Sequence, residues 1–325
     1  MSTEKTNIWS GFWRRLGAWL IDNIVLAIVC YGFGWAATDM VAAWGQNGRA
    51  FGLVLGILYF GITASGVAGG RSIGMRALGL KVVDFKGRPL GLLAAVGRAI
   101  LLVAPLMLNG WSFKLPPQIP ADIVNVIIIV AVLGILPAQC YLLLFNGPTR
   151  RMLHDIVFGA VVVRADADKP DMPKGKVHAV VAGLIVLAVA GLAVAAPYLL
   201  KRFMPASVTN VLSPLQKVID AVNALPEVAD TDAQDNTNTF YQTGKPPQVT
   251  RTLIVTARMR KWPVDNTKEV ARVGAVAVKT YAFAPGQQLT VRLVYGFDLG
   301  FGSYNNSYSS PVSPSCTADT DCSVK

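Results

Sequence analysis

The sequence predicts an α-helical membrane protein with a core of four spanning helices, one appended spanning helix and a small α+β soluble domain. Three observations support this fold class. Hydrophobic residues make up 53% of the 325 residues and charged residues only 15%, whereas soluble domains carry about 25% charged residues. Five apolar runs have the length of about 20 residues that crosses a bilayer as a helix. After about residue 200 the composition becomes that of an ordinary soluble domain.

The five apolar runs are Leu16–Ala37, Phe51–Gly69, Leu90–Leu108, Ile123–Phe145 and Val177–Leu200. The third run contains Arg98, so it has a second interpretation as an amphipathic helix that lies on the membrane surface. A cleaved signal peptide is the competing interpretation of the first run, because Arg14 and Arg15 precede it. The length of that run and its polar residues Asp22 and Asn23 argue against cleavage.

The net charge of +11 is explained by membrane topology. With five spans and a cytoplasmic N-terminus, the cytoplasmic segments 1–15, 70–89 and 146–176 carry 14 of the 17 Lys and Arg residues that precede residue 201. Four spans would place the basic residues of 146–176 outside, against the tendency of such residues to stay in the cytoplasm. We therefore predict five spans with the C-terminus outside. The basic loops are expected to contact anionic lipid headgroups rather than nucleic acid.

Three blocks of sequence carry a family resemblance. They are GFWRRLGAWLID at residues 11–22, SIGMRALGLKVVD at residues 72–84 with Arg98 downstream, and RMLHD at residues 151–155. Together these blocks resemble the RDD family of bacterial membrane proteins over about residues 8–165. The family takes its name from one Arg and two Asp, which correspond by motif position to Arg15, Asp22 and Asp155.

The resemblance implies an integral protein of the bacterial inner membrane, and the charge distribution predicts a periplasmic C-terminus. Resemblance, charge and composition together divide the chain into an RDD-like membrane domain (1–165), a cytoplasmic linker (166–176), a fifth transmembrane helix (177–200), a periplasmic α+β domain (201–301) and a flexible tail (302–325). Transport of ions or small solutes is the activity usually suggested for the family. Four core spans are few for a transport pathway, so that function requires a homo-oligomer. The alternative is a non-catalytic envelope anchor or assembly protein whose periplasmic domain binds a protein partner.

The candidate site residues are Arg15, Asp22, Arg98, His154 and Asp155. Ionisable groups inside a membrane are costly and mark functional or structural pairing. Asp22 lies about 10 Å beyond Arg15, and Arg98 about 12 Å from the same membrane face, at 1.5 Å per helical residue. This similar depth predicts a buried pair between Asp22 and Arg98. The sequence leaves open whether these charges only lock the helices or take part in transport.

No catalytic or cofactor-binding pattern is present. Phosphate-binding loops, zinc-protease motifs and nucleophile elbows are absent from the sequence. Four Cys and two His without a C-x-x-C pair give little material for a metal site. We therefore expect a protein that is not an enzyme and that needs no cofactor or metal.

Smaller patterns predict local structure in the membrane domain. Residues 79–84 and 160–164 have the alternating or β-branched pattern of strands, which predicts a small sheet between two loops. Pro137 predicts a kink in the fourth span, with the polar Gln139 close by. Gly52 and Gly56 have the spacing that permits close helix contact.

The soluble domain has a mixed pattern. We predict a helix near 208–225, a polar link through about Gly244, a strand over 249–259, a helix from Asn266 and a strand over 288–299. The Ser-, Asn- and Pro-rich residues 302–325 are predicted to be flexible. Cys316 and Cys322 are separated by five small polar residues in a segment placed in the oxidising periplasm, so we predict a disulfide between them.

Topology reporters test the number of spans. A reporter fused after Lys176 should have cytoplasmic activity, and one fused after Lys325 should have periplasmic activity, because one predicted span, Val177–Leu200, lies between the two fusion points. Activity of both fusions on the same side would show that the run Val177–Leu200 does not cross the membrane. Periplasmic activity after Lys176 would remove Leu90–Leu108 from the spans.

Overall fold

The computed structural model describes residues 8–111, 121–167, 177–203, 206–241 and 247–313. These residues form two compact units. The first, called the helical unit, contains the described residues through Cys30, together with those of Arg49–Leu199 and Leu299–Gly302. The second, called the sheet unit, contains Tyr31–Gly48, the described residues of Leu200–Asp298 and those from Ser303 onward.

The elements of the described chain follow the predicted order of a helical region and then a mixed region. The α-helices are α1 (Phe12–Ala36), α2 (Thr38–Ala42), α3 (Gly48–Ala64), α4 (Ile73–Ala77), α5 (Leu92–Leu108), α6 (Ala121–Ile129), α7 (Leu136–Phe145), α8 (Leu153–Val157), α9 (Val177–Phe203), α10 (Ala206–Asn223) and α11 (Asn266–Thr280). The strands are β1 (Leu80–Asp84), β2 (Ala160–Arg164), β3 (Val228–Phe240), β4 (Gln248–Met259), β5 (Gln288–Asp298) and β6 (Ser303–Val312).

Four helical stretches of the described chain are long and apolar enough to cross a membrane. They are Phe12–Ala36, Gly45–Ala64, Ile123–Phe145 and Val177–Leu199, and they coincide with four of the five predicted spans. The remaining predicted span is α5, an apolar helix of 17 residues that contains Pro105. At 1.5 Å per residue α5 measures about 26 Å, slightly less than the hydrocarbon core of about 30 Å.

The fourth span is interrupted where Pro137 predicted a kink. A π-helix, Val130–Ile135, joins α6 to α7, and Pro137 is the second residue of α7. Proline lacks the N–H that would bond the carbonyl four residues earlier, and a π-helical turn changes the direction in which the following side chains point. The interruption precedes Gln139, which is buried in the helical unit.

The two loop segments with strand patterns pair as predicted. β1 and β2 are antiparallel, with Val82 opposite Val162. Leu80, Val82 and Val162 are almost completely buried, in a core cluster that also contains Ala18 of α1. This small sheet holds together the two loops that carry the second and third sequence blocks.

Gly52 and Gly56 make room for a chain segment as well as for a helix. The helical unit includes Leu299–Gly302, and a Cβ on Gly52 would lie 1.9 Å from the Leu299 carbonyl oxygen. A Cβ on Gly56 would lie 2.9 Å from the Phe301 ring and from Cγ1 of Val103. The spacing therefore permits close approach, as predicted, but Gly52 accepts a peptide backbone rather than a helix.

The sheet unit is an α+β fold. Its strands lie in the order β3-β4-β5-β6, and only the β4–β5 pair is parallel. The parallel connection contains α11 as its crossover helix. Asp265 begins this helix by accepting hydrogen bonds from the backbone N–H groups of Thr267 and Lys268 at 3.0 and 3.1 Å. Side chains of α10, α11 and one sheet face form the core.

Two predictions about the soluble region were wrong. The polar stretch after α10 is not a link through Gly244, because most of it forms β3, with Val228 and Ala233 buried and Asp232 exposed. Residues 303–312, predicted to be flexible, form β6. Both strands lie at the edges of the sheet, where side chains that face outward are polar. Hydrogen bonding to the neighbouring strand therefore decides their conformation more strongly than their polar composition does. The predicted Cys316–Cys322 disulfide lies outside the described residues.

The sheet unit also contains a segment that the predicted boundary at residue 201 did not include. Within this unit the hydroxyl of Tyr295 donates to the carboxylate of Asp39, and Arg260 Nη1 donates to the Ala43 carbonyl at 3.3 Å. The rings of Trp35 and Tyr304 lie 4.9 Å apart. Tyr31–Gly48 is therefore an integral part of the sheet unit.

The packing at Gly52 predicts a stability difference between two Gly→Ala variants. Gly52→Ala should lower the free energy of unfolding by about 1–3 kcal/mol, because its methyl group overlaps the Leu299 backbone. Gly183→Ala in α9 has no atom within 4 Å of the new Cβ, so it should be neutral or stabilising by up to about 1 kcal/mol. Denaturant unfolding in detergent, followed by circular dichroism, measures both. Equal stability of the two variants would contradict this packing.

Candidate functional site

All five candidate residues are buried in the helical unit. α1 carries Arg15 and Asp22 seven residues apart, and therefore on one helix face. α5 carries Arg98, and the short helix α8 carries His154 and Asp155. Their exposed fractions are 8% for Arg15, 1% for Asp22, 3% for Arg98, 2% for His154 and 0% for Asp155.

Asp155 holds two arginines at once. Arg15 Nη2 lies 2.6 Å from Asp155 Oδ2, and Arg98 Nε lies 2.9 Å from Asp155 Oδ1. The backbone N–H of Met152 also donates to Oδ2, at 3.3 Å. Burial raises the pKa of Asp155, but the neighbouring positive charge, that of Arg98 first, outweighs burial and holds the pKa well below the usual carboxylate range. Asp155 is therefore an anion that joins α1 and α5 to α8.

Arg15 also stabilises the turn before α8. Its Nη1 donates to the carbonyl of Arg150 and, at 3.5 Å, to that of Thr149. Lone carbonyls in a buried turn need donors, and a guanidinium offers five in a fixed plane. One side chain therefore connects α1 both to the carboxylate of Asp155 and to the backbone that positions it.

The predicted pair between Asp22 and Arg98 was wrong. Asp22 accepts hydrogen bonds from Tyr59 Oη at 2.6 Å, from Ser72 Oγ at 2.5 Å and from the backbone N–H of Gly74 at 2.8 Å. Neutral donors on α3 and at the start of α4 thus satisfy this carboxylate. Equal depth in the membrane did not imply contact, because the return of the chain through α8 brings Asp155 to Arg98 instead.

Gln139 and His154 form the other part of the site. Gln139 Nε2 donates to the Leu101 carbonyl at 3.0 Å, so its Oε1 accepts from Nδ1 of His154. Nε2 of His154 lies 3.3 Å from Asp155 Oδ1. Burial lowers the pKa of His154 to about 3, so the imidazole is neutral at physiological pH. The sequence indicated Gln139 only as a polar residue near Pro137 and did not predict its bond to His154.

A cavity of about 310 Å³ lies beside these groups. It is lined by Arg15, Leu16, Ala18, Trp19, Asp22, Phe60, Met75, Leu80, Arg98, Leu102, Leu106, Leu136, Gln139, Cys140, Leu143, Met152, His154 and Val162. Four of the five predicted site residues line this cavity, and the fifth, Asp155, bonds to two of them, Arg15 and Arg98. Its volume reaches the lower end of the range for ligand pockets.

Metal binding has no structural support in the described ranges. Within residues 8–111, 121–167, 177–203, 206–241 and 247–313, no three His, Cys, Asp or Glu side chains are placed to hold a metal ion. The site is instead a charge cluster beside an apolar cavity. Such a cluster can hold helices together, position a ligand, or both.

One comparison with known proteins gives a match. The model of a protein family described as the RDD family matches residues 9–203, more than half of the chain and all five candidate residues. The match extends beyond the residues 8–165 that carry the sequence resemblance, and it includes α9. No curated protein and no solved structure matches the chain.

The buried carboxylate predicts a large effect of one substitution. Asp155→Asn should lower the free energy of unfolding by about 3–5 kcal/mol, because it leaves two buried guanidinium groups without their counter-charge. Asp166→Asn is the matched control, since Asp166 forms an exposed pair with Arg164 at 3.1 Å and should have little effect. Thermal unfolding in detergent compares the two. Similar losses would show that the Asp155 cluster does not stabilise the bundle.

Proposed function

This chain belongs to the RDD family of membrane proteins, and from that premise we propose that it transports a small solute through its helical core. The cavity of about 310 Å³ carries the proposal. Four of the candidate residues, Arg15, Asp22, Arg98 and His154, line this cavity. The rest of the lining is mostly apolar side chains, many of them from helices that can span a membrane. We assign these residues no catalytic step.

The pairing of the charges favours a solute rather than a bare ion. Arg15 and Arg98 already bond to Asp155, and three donors already satisfy Asp22. A bare ion needs several free oxygen ligands or an unpaired opposite charge. A solute can instead be held by its shape in the apolar part of the cavity.

The interrupted fourth span provides a part that can move. The π-helix Val130–Ile135 and Pro137 weaken the continuous hydrogen bonding of the helix beside the cavity. Gln139 and Cys140 follow directly and line the cavity. Broken helices beside a binding site are a common feature of transporters, and bending at this point would change access to the cavity.

The proposed setting is the bacterial inner membrane, with a cytoplasmic N-terminus and a periplasmic C-terminus. The distribution of Lys and Arg supports this orientation, and the basic loops would contact anionic headgroups. A complete pathway is proposed to require a homo-oligomer, because one chain offers few spanning helices.

A native cysteine tests the proposal. Cys140 is exposed on α7 and lines the cavity. In vesicles, in a background with Cys316→Ser and Cys322→Ser, a charged thiol reagent that does not cross membranes is added to either side. Transport requires that the cavity opens to water, so Cys140 should react from at least one side.

The matched control is Leu187→Cys in a Cys140→Ser background. Leu187 is 68% exposed in the middle of α9, a helix that can span the membrane, so a cysteine there faces lipid and should not react. If Cys140 is as unreactive as this control from both sides, the cavity has no aqueous access and the transport proposal is wrong.

The sheet unit favours a second candidate function, that of an envelope anchor or assembly protein. This unit has a hydrophobic core of its own, which includes Leu253, Val255, Val291 and Leu293. A separately packed domain is suited to binding a protein partner. Purification in mild detergent followed by mass spectrometry separates the candidates: a specific envelope protein at constant stoichiometry supports the anchor, and a homo-oligomer alone supports transport.

A further inference from the structure

Most of the residues that line the cavity are apolar. The aliphatic and aromatic members of this lining come from α1, α3, α5 and α7, and they include Leu16, Phe60, Leu102, Leu106, Leu136 and Leu143. Contact between such a surface and hydrocarbon is energetically favourable. A polar ligand, in contrast, would find no hydrogen-bond partners on it. The larger part of a complementary ligand is therefore hydrocarbon.

The ionisable groups at the cavity already have partners. Arg15 and Arg98 share the carboxylate of Asp155, and three neutral donors satisfy Asp22. All four are buried and already hold partners within the helical unit. A ligand with a net charge would enter this site without a counter-charge, and an unpaired buried charge is strongly unfavourable. This pairing therefore favours an uncharged ligand.

His154 supplies a hydrogen-bond acceptor at the polar end. Gln139 Nε2 is fixed by the Leu101 carbonyl, so Gln139 Oε1 accepts the proton on Nδ1 of His154. In the neutral ring the second nitrogen, Nε2, then has no hydrogen and is an acceptor. Asp155 Oδ1, which lies 3.3 Å from Nε2, is also an acceptor. A ligand that donates an O–H or N–H suits this arrangement.

An exposed residue of a helix that can span the membrane lines the cavity. Cys140 lines it and is also exposed on the surface of α7. α7 forms part of the candidate span Ile123–Phe145, whose exposed side contacts the hydrocarbon of the bilayer. A hydrophobic ligand dissolved in the bilayer can therefore reach the cavity at Cys140.

From these observations we infer that the cavity binds an uncharged amphiphile that has a hydrocarbon body and a hydroxyl or amide donor and that enters from the bilayer beside Cys140. The inference rests on the proposed function and names its substrate class. The hydrocarbon lies against the leucines of α1, α5 and α7, and the donor lies at His154.

Protection of Cys140 from alkylation tests this assignment. Proteoliposomes that contain the full chain with Cys316→Ser and Cys322→Ser are treated with a lipid-soluble maleimide. The probes are decanol, decane, decanoate and decyltrimethylammonium at equal concentrations in the membrane. Decanol should slow the alkylation of Cys140 several-fold. Decane lacks the donor, and the other two carry a charge, so each of these three should protect less.

The lipid-facing control is again Leu187→Cys in a Cys140→Ser background, which should show the same alkylation rate with every probe. Equal slowing at both positions would show a general effect on the bilayer and overturn the inference. Protection by decanoate or decyltrimethylammonium as strong as that by decanol would also overturn it, as would no protection at all.

The outcome is separable from that of the transport proposal. Selective protection by decanol, combined with no aqueous access to Cys140, would retain the amphiphile site and reject transport. Aqueous access without selective protection would retain transport and reject the amphiphile as its substrate.

Discussion

The helical unit depends on the buried carboxylate of Asp155. Two guanidinium groups from different helices would each be strongly unfavourable in a low-dielectric interior without an anion. Arg15 and Arg98 share this one carboxylate at 2.6 and 2.9 Å, so α1 and α5 are held where both reach it. α8 must in turn hold Asp155 at that place, and the backbone carbonyls before α8 receive the remaining donors of Arg15.

The second carboxylate, Asp22, has a different role although it lies on the same face of α1. It binds a hydroxyl from Tyr59, a hydroxyl from Ser72 and a backbone N–H at the start of α4. This connects α1 to the chain that leads into β1. The two carboxylates together thus attach α1 to both loop segments of the small sheet.

The cavity is a consequence of the same arrangement. The buried charges already have partners within the helical unit, so most of the remaining cavity lining is apolar. After the π-helix and Pro137, Gln139 points inward and bonds His154. The ligand that we propose would therefore be selected by shape and hydrocarbon contact rather than by charge. The sheet unit has a hydrophobic core of its own.

The sequence by itself determined the class of the protein and its local elements. Apolar runs locate the helices because length and hydrophobicity decide membrane insertion. Alternating or β-branched patterns locate β1, β2, β4 and β5, and the motif blocks, with Arg98 downstream of the second, select all five candidate residues. These properties depend on near neighbours in the chain, so one sequence is sufficient to find them.

The tertiary structure decided which of these residues meet. Asp22 and Arg98 lie at similar depth, yet Arg98 bonds Asp155, 57 residues further along the chain, because helix packing and the return through α8 set the distances. The cavity has the same origin, since its wall comes from separate helices. β3 and β6 were predicted as non-strand because their composition is polar, and pairing with β4 and β5 supplied the order that composition lacks. Long-range contacts, which no short window of sequence contains, fixed each of these features.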